Sequence, residues 1–177
     1  LSYASGSQAA NALPLFLGIT GKNRDAVLQT LLKDIAAHGN RLTTGDVGNR
    51  YLFRTLADTG NSQLLYTMLN HDETPGYGFQ LKYGATTLTE QWDPRNGTSW
   101  NHFMMGQIDE WLFRTLAGIR QQEGTVGMRH LLISPTLVGD IKYVHAKTAS
   151  LYGEISVDCS REKTVVEIPV GCDARIV

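Results

Sequence analysis

The sequence predicts a chain of more than one domain, helices first and an antiparallel sheet after them. Three observations predict it. Apolar residues recur at helical spacing through the first two-thirds of the 177 residues. Gly18, Gly39, Gly60 and Gly118 each follow a periodic run. After about Gly124 the period changes to two.

The helical runs come in order. The first apolar stretch is Leu13 to Ile19, far short of the roughly twenty residues that span a bilayer. Next, Leu28, Leu31, Leu32 and Ile35 share a helical face, with Gln29, Lys33 and Asp34 between them. Leu64, Leu65, Met68 and Leu69 repeat the pattern, and Ile108, Trp111, Leu112 and Leu116 repeat it again. Gly18, Gly39, Gly60 and Gly118 stand where a helix C-cap needs positive φ. The first three lie 21 residues apart, a cadence of successive helices joined by short loops and packed as antiparallel pairs.

Between Thr74 and Asn101 the helical pattern fails. Pro75, Gly76, Gly78, Gly84, Pro94 and Gly97 punctuate a stretch that carries Tyr77, Phe79, Tyr83, Trp92 and Trp100. So many aromatic residues argue for an ordered, site-forming excursion rather than a disordered loop. Beyond it, Arg129 to Ile133, Ile141 to Ala146, Tyr152 to Val157 and Thr164 to Ile168 read as short strands, with the polar turn Ser160 to Lys163 between the last two. Ile155 and Val157 share one face and Glu154, Ser156 and Asp158 the other, the pattern of an antiparallel sheet with one wet side. The last residues, Ala174 to Val177, read as part of a further strand, so a piece of a larger protein is expected. The reading is therefore several helices of a larger array over residues 1–122, then a β-sandwich over 123–177, truncated at its end.

Composition narrows the function classes. A net charge of -1 gives no support to a nucleic-acid or membrane partner. The chain has no zinc-helix, phosphate-loop or dinucleotide motif, and its Cys and His residues lack metal-ligand spacing. Cys159 and Cys172 either face each other across a hairpin as a disulfide or stand as free, partly buried thiols, and the second reading is favoured. His38, His71, His130 and His145 show no pairing pattern and read as structural or surface residues. Met104, Met105 and Trp111 read as packing, and the sequon at Asn96 reads as a turn. No signal peptide opens the chain, which in a piece of a longer protein is silent on the compartment.

The chemistry concentrates in GATTLTEQWD, residues 84–93, and the SWNH that follows at 99–102. A carboxylate, Glu90, lies among Gly, Thr and Trp, with His102 twelve positions on. A carboxylate to move a proton, indole faces to stack on a sugar, and amide and imidazole groups for hydroxyls suit carbohydrate chemistry. An isolated Glu near Trp is also a common structural feature.

These blocks carry a resemblance. GATTLTEQWD, the segment SWNHFMMGQIDEWLFRTLAGI after it and LTTGDVGNRYLFRTLADTG before it occur in the order found in bacterial α-L-rhamnosidases. The chain resembles these inverting enzymes of glycoside hydrolase family 78 from about Ser7 to Val157. The resemblance implies an (α/α)6 barrel, of which about five helices belong to this chain, followed by a C-terminal β-sandwich. It implies hydrolysis of terminal rhamnose from rhamnose-containing glycosides without a metal or organic cofactor. It also implies that the partner is the N-terminal part of the parent enzyme. Glu90 matches the general base, whereas the general acid belongs to an upstream motif that no segment here matches.

By the same resemblance, His102 contacts rhamnose in the −1 subsite; its plain alternative is a helix-start residue bonding its own loop. Asn101 is a substrate-binding candidate that equally suits a helix cap. Trp92 and Trp100 are candidates for stacking on a deoxy sugar. Tyr77 stands where the family often has Trp, a departure that bears on the width of the site or its aglycone side. Asp93 rivals Glu90, but Asp-Pro favours a turn in which Asp caps its own backbone; a supporting role beside Glu90 is the mixed assignment. Asp46, in a loop near the barrel mouth, is a weaker candidate that capping explains equally well. Two rival functions stand beside the rhamnosidase: a non-catalytic carbohydrate-binding or interaction module, and an (α/α)6 glycosidase for a different sugar.

Overall fold

The computed structural model describes all residues, Leu1–Val177, as two compact units, Leu1–Ile108 and Asp109–Val177. The first holds α1 (Gln8–Phe16), α2 (Arg24–Ala37), α3 (Asp46–Asp58), α4 (Ser62–Leu69) and α5 (Tyr77–Lys82). A sixth helix, α6 (Ile108–Trp111), widens into a π turn over Leu112–Leu116.

Local chemistry accounts for the helix ends. Ser7 caps α1 by accepting the Ala10 N–H at 3.3 Å. The 21-residue cadence corresponds to three Schellman caps. Gly18, Gly39 and Gly60 sit at φ +69°, +67° and +76°. At each, the following N–H reaches back five residues: Ile19 to Pro14 O, Asn40 to Ile35 O and Asn61 to Leu56 O, at 3.2, 2.9 and 2.7 Å. Val27, Leu31 and Ile35 of α2 are buried together with Ala12 and Leu15 of α1, Leu52, Phe53 and Leu56 of α3, and Leu65 and Met68 of α4. α1 packs on both α2 and α3.

The excursion expected between Thr74 and Asn101 contains one helix that periodicity does not reveal. α5 is only six residues long, too short for a 3.6-residue repeat to register. Gly84 closes it with the same kind of cap, Ala85 N–H to Gln80 O at 3.0 Å.

The second unit carries two three-stranded sheets. One runs β1 (Ile119–Gln121), β2 (His130–Ile133), β6 (Asp173–Ile176); the other runs β3 (Tyr143–Ser150), β4 (Gly153–Ser160), β5 (Thr164–Glu167). Ile119, Leu131, Ile133, Ala146, Ile155, Val157 and Cys159 form the core between their inner faces. Three details differ from the sequence expectation. β1 lies within residues 1–122, read as helical, ahead of the switch expected after about Gly124. β6 pairs parallel to β2, because the chain reaches it from the other sheet after β5 rather than by a hairpin. Ser156 lies on the outer face yet is buried, covered between Lys147 and Glu167 on the flanking strands, and its Oγ donates to Glu167 Oε2 at 3.3 Å. Cys159 and Cys172 are free thiols, the first buried and the second half-buried. No helix is long and apolar enough to cross a membrane.

Candidate functional site

The site segment is an irregular hairpin. Residues 87–90 run beside 99–102: the Glu90 N–H donates to Ser99 O at 2.9 Å and the His102 N–H to Leu88 O at 2.9 Å. The Thr87 hydroxyl donates to Trp100 O between them. This ladder explains the Thr and Ser content, since short hydroxyl side chains supply bonds that an irregular backbone leaves unmade. Glu90 is exposed, and its Oε2 accepts the Ser99 N–H at 3.4 Å.

A network of mostly buried polar groups seats the hairpin on the helices. Gln8 of α1 donates to Arg41 O at 2.9 Å and accepts from the Thr43 N–H at 3.0 Å, which pins the approach to α3. Next in line, Thr44 O accepts the Trp92 indole N–H at 2.8 Å, and the Thr44 hydroxyl donates to Asn49 Oδ1 at 2.5 Å. Asn49 reaches Met105 Sδ at 3.5 Å, and the Tyr77 hydroxyl donates to Met105 O at 2.5 Å. Tyr77 meets the Trp92 ring edge-on, 5.1 Å between centroids at 89°. The half-buried Trp92 is thus held by its indole N–H and by the perpendicular contact with the Tyr77 ring. Trp100 is more open, 43% exposed, with its indole N–H on Pro94 O at 3.1 Å.

The two acidic rivals differ in occupancy. Asp93 caps the 3-10 turn Pro94–Asn96: Oδ1 accepts the Arg95 N–H at 3.0 Å and Nε at 2.8 Å, and Oδ2 accepts Nη2 at 2.8 Å. Bonding to Arg95 holds the Asp93 carboxyl at about 2, well below its ordinary value, and correspondingly raises the Arg95 guanidinium. The guanidinium also lies 4.1 Å over the Tyr83 ring and 5.4 Å over Phe79, clamping the loop tip to α5. Both Asp93 oxygens are committed to that clamp, whereas Glu90 carries a single long backbone contact.

His102 opens the 3-10 turn Phe103–Gln107, and Asn101 does not cap it with its side chain. Asn101 is exposed, its N–H donating to Ser99 Oγ at 3.2 Å. His102 Nε2 meets Asp46 Oδ2 at 3.3 Å. Asp46 is the first residue of α3, after Gly45, and its Oδ1 accepts the Val47 N–H at 2.8 Å, so its side chain satisfies one of the free N–H groups of the helix start. Phe103, 84% exposed beside His102, escaped the sequence reading, as did Gln107 and Thr44; none has a sequence signal beyond its neighbours. Next to the hairpin opens a cleft of about 330 Å³ lined by Tyr77, Gln80, Leu81, Ala85, Thr86, Thr87 and Leu88. Trp111 is buried, as its spacing requires. No group of three or more His, Cys, Asp or Glu is placed to hold a metal.

The four histidines read as structural or surface residues find partners across strands and turns. His130 meets Asp173 at 2.7 Å, His145 pairs with Asp158, His38 bonds Asp34, and His71 bonds Asn40 O. The first two pairs exist because strand register sets the residues opposite one another.

Comparison with known proteins identifies the lineage of both units. The bacterial alpha-L-rhamnosidase 6 hairpin glycosidase domain matches residues 2–116, and the bacterial alpha-L-rhamnosidase C-terminal domain matches residues 118–177. An alpha-L-rhamnosidase of Streptomyces avermitilis is 32% identical over 160 residues, 85% of this chain and 15% of that protein. One from Formosa agariphila is 28% identical over 163 residues, 86% of this chain and 17% of that protein. Among solved structures, the alpha-L-rhamnosidase from Dictyoglumus thermophilum superposes with a TM-score of 0.88 at 33% identity, covering 96% of this chain and 20% of that one. The S. avermitilis enzyme complexed with L-rhamnose gives 0.89 at 28% identity, covering 99% of this chain and 19% of that one. The chain thus spans about a fifth or less of the length of these relatives. With hairpin, helices and sheets all matched in order, the chain belongs to the bacterial alpha-L-rhamnosidase family, of which it carries part of the six-hairpin glycosidase domain and the C-terminal domain.

Proposed function

We propose that this chain supplies the water-activating side of an inverting α-L-rhamnosidase, acting on terminal α-L-rhamnosides. The observation that carries the reading is Glu90: an exposed carboxylate on an ordered hairpin, within a segment matched by the six-hairpin glycosidase domain. Inversion needs two carboxyl groups about 6.5–9.5 Å apart, one protonating the leaving oxygen and one deprotonating a water on the opposite face. Glu90 takes the second role. Its carboxylate removes a proton from that water as the oxygen attacks the anomeric carbon. Asp93 suits the role less well, because Arg95 occupies both its oxygens and holds its basicity low.

The remaining candidates take binding roles in this reading. His102 and Asn101 hydrogen-bond sugar hydroxyls, and Trp92 and Trp100 offer apolar faces to the ring and methyl of a deoxy sugar. Tyr77 acts through Trp92, whose ring it props. The L-rhamnose held by the S. avermitilis relative supports the choice of sugar. The general acid lies in the part of the parent enzyme that this chain does not match, so the isolated chain is expected to turn over no aryl rhamnoside.

Glu90→Gln in the full-length parent tests the assignment. The amide keeps size and hydrogen bonding but cannot accept the proton. The turnover number is expected to fall by roughly 10²–10⁴ with a much smaller change in KM. Asp93→Asn should retain most turnover. Near-normal activity in Glu90→Gln with loss in Asp93→Asn moves the base to Asp93, and a retained product anomer removes water activation altogether. A panel of aryl glycosides separates rhamnose from other sugars.

A further inference from the structure

We propose that Asp46 is a positioning residue that fixes the tautomer of His102, so that the imidazole presents Nδ1 as a hydrogen-bond acceptor to a sugar hydroxyl. The proposal rests on the sugar-binding reading of His102 given above. Asp46 Oδ2 and His102 Nε2 are 3.3 Å apart, joining residues 56 positions apart in the chain. An ionised carboxylate can only accept, so the proton of the neutral ring sits on Nε2 and the lone pair on Nδ1.

Both partners are held from elsewhere. Asp46 Oδ1 accepts the Val47 N–H at 2.8 Å, and its carbonyl accepts Gln107 Nε2 at 2.6 Å. Its place in the first turn of the 13-residue α3 sets a negative charge at the positive end of the helix dipole. His102 is anchored by its N–H on Leu88 O at 2.9 Å, two residues before Glu90 on the same hairpin. The side chains stay partly open, 24% for His102 and 35% for Asp46, so a ligand can reach the ring. The contact therefore ties the ring that meets the sugar to a rigid helix start rather than to the loop that bears it.

The same geometry supplies the test. In Asp46→Asn the single oxygen is claimed by the Val47 N–H, which turns the amide NH2 onto His102. Nε2 must then accept, and the ring switches to the Nδ1–H tautomer. Long-range ¹H–¹⁵N NMR of the 177-residue chain, at a pH where the ring is neutral, reads the tautomer directly. The wild-type ring is expected to carry its proton on Nε2 and Asp46→Asn to shift it to Nδ1. A wild-type ring protonated at Nδ1, or a tautomer that ignores Asp46→Asn, overturns the proposal. In the full-length parent the same variant is expected to raise KM for an aryl α-L-rhamnoside roughly three- to tenfold, the loss of about one neutral hydrogen bond, with a smaller change in kcat. A switched tautomer with unchanged KM would show that Asp46 sets the ring but that the ring does not meet the sugar. That result refutes the role of His102 in binding and, with it, the functional half of the proposal.

Discussion

Replacing Gly118 with alanine is expected to remove a large part of the sheet unit's stability, whereas the same change at Gly124 is expected to be mild. Both glycines have positive φ, +71° and +76°. They differ in space. A Cβ on Gly118 falls 2.2 Å from Ser134 C, 2.3 Å from Pro135 N and 2.4 Å from Ser134 O, all backbone atoms, whereas one on Gly124 meets nothing within 4 Å. Placing an L side chain in the left-handed region costs about 1–2 kcal/mol at either site. At Gly118 the backbone of Ser134 must also retreat by about 1 Å or more. Gly118 O accepts the Ser134 N–H at 3.1 Å, and the adjoining Ile119 and Ile133 are paired and buried. That displacement loosens the edge of the core, an overpacking cost of about 1–3 kcal/mol. The sum, about 2–5 kcal/mol, compares with a total stability of roughly 3–10 kcal/mol for a unit of this size. Native-state amide exchange in β2, followed through a urea series, measures the change. Equal losses in Gly118→Ala and Gly124→Ala would refute the steric argument and leave only the conformational one.

The remaining expectations concern the site clamp and the helical core. Asp93 is held at about 2 by Arg95, so its ion pair contributes in full above the ordinary carboxylate range near pH 4 and is lost as pH falls through about 2. A ¹³C carboxyl titration should find Asp93 at that low value and return it to the ordinary range in Arg95→Gln; an unchanged midpoint counts against the clamp. Phe53, 2% exposed in α3, should cost about 3–5 kcal/mol when cut to alanine, read as a lower urea midpoint for the helical unit. A loss below about 1 kcal/mol would mean that the site relaxes around the cavity.

The sequence by itself determined what depends on near neighbours. Helical stripes such as Leu28, Leu31, Leu32 and Ile35 and the caps at Gly18, Gly39 and Gly60 follow from turn geometry within five residues, so periodicity and punctuation reveal them. The switch to strands is equally local, although β1 begins at Ile119, ahead of the expected change near Gly124, because three residues are too few for a period of two to register; the ordered motif around Glu90 carried the family resemblance. Tertiary structure decided what joins distant residues. Trp92 on Thr44 O, Tyr77 on Met105 O and His102 on Asp46 span 48, 28 and 56 positions, and no spacing rule links such pairs. The pairing of His130 with Asp173 and of His145 with Asp158 required strand register, and the parallel setting of β6 required knowing which sheet it joins. The short helix α5 was invisible because six residues span fewer than two turns. Residue type names the groups that can bind or move a proton, and the Asp93–Arg95 turn is local, two residues apart, but only the packed chain brings Asp46 to His102.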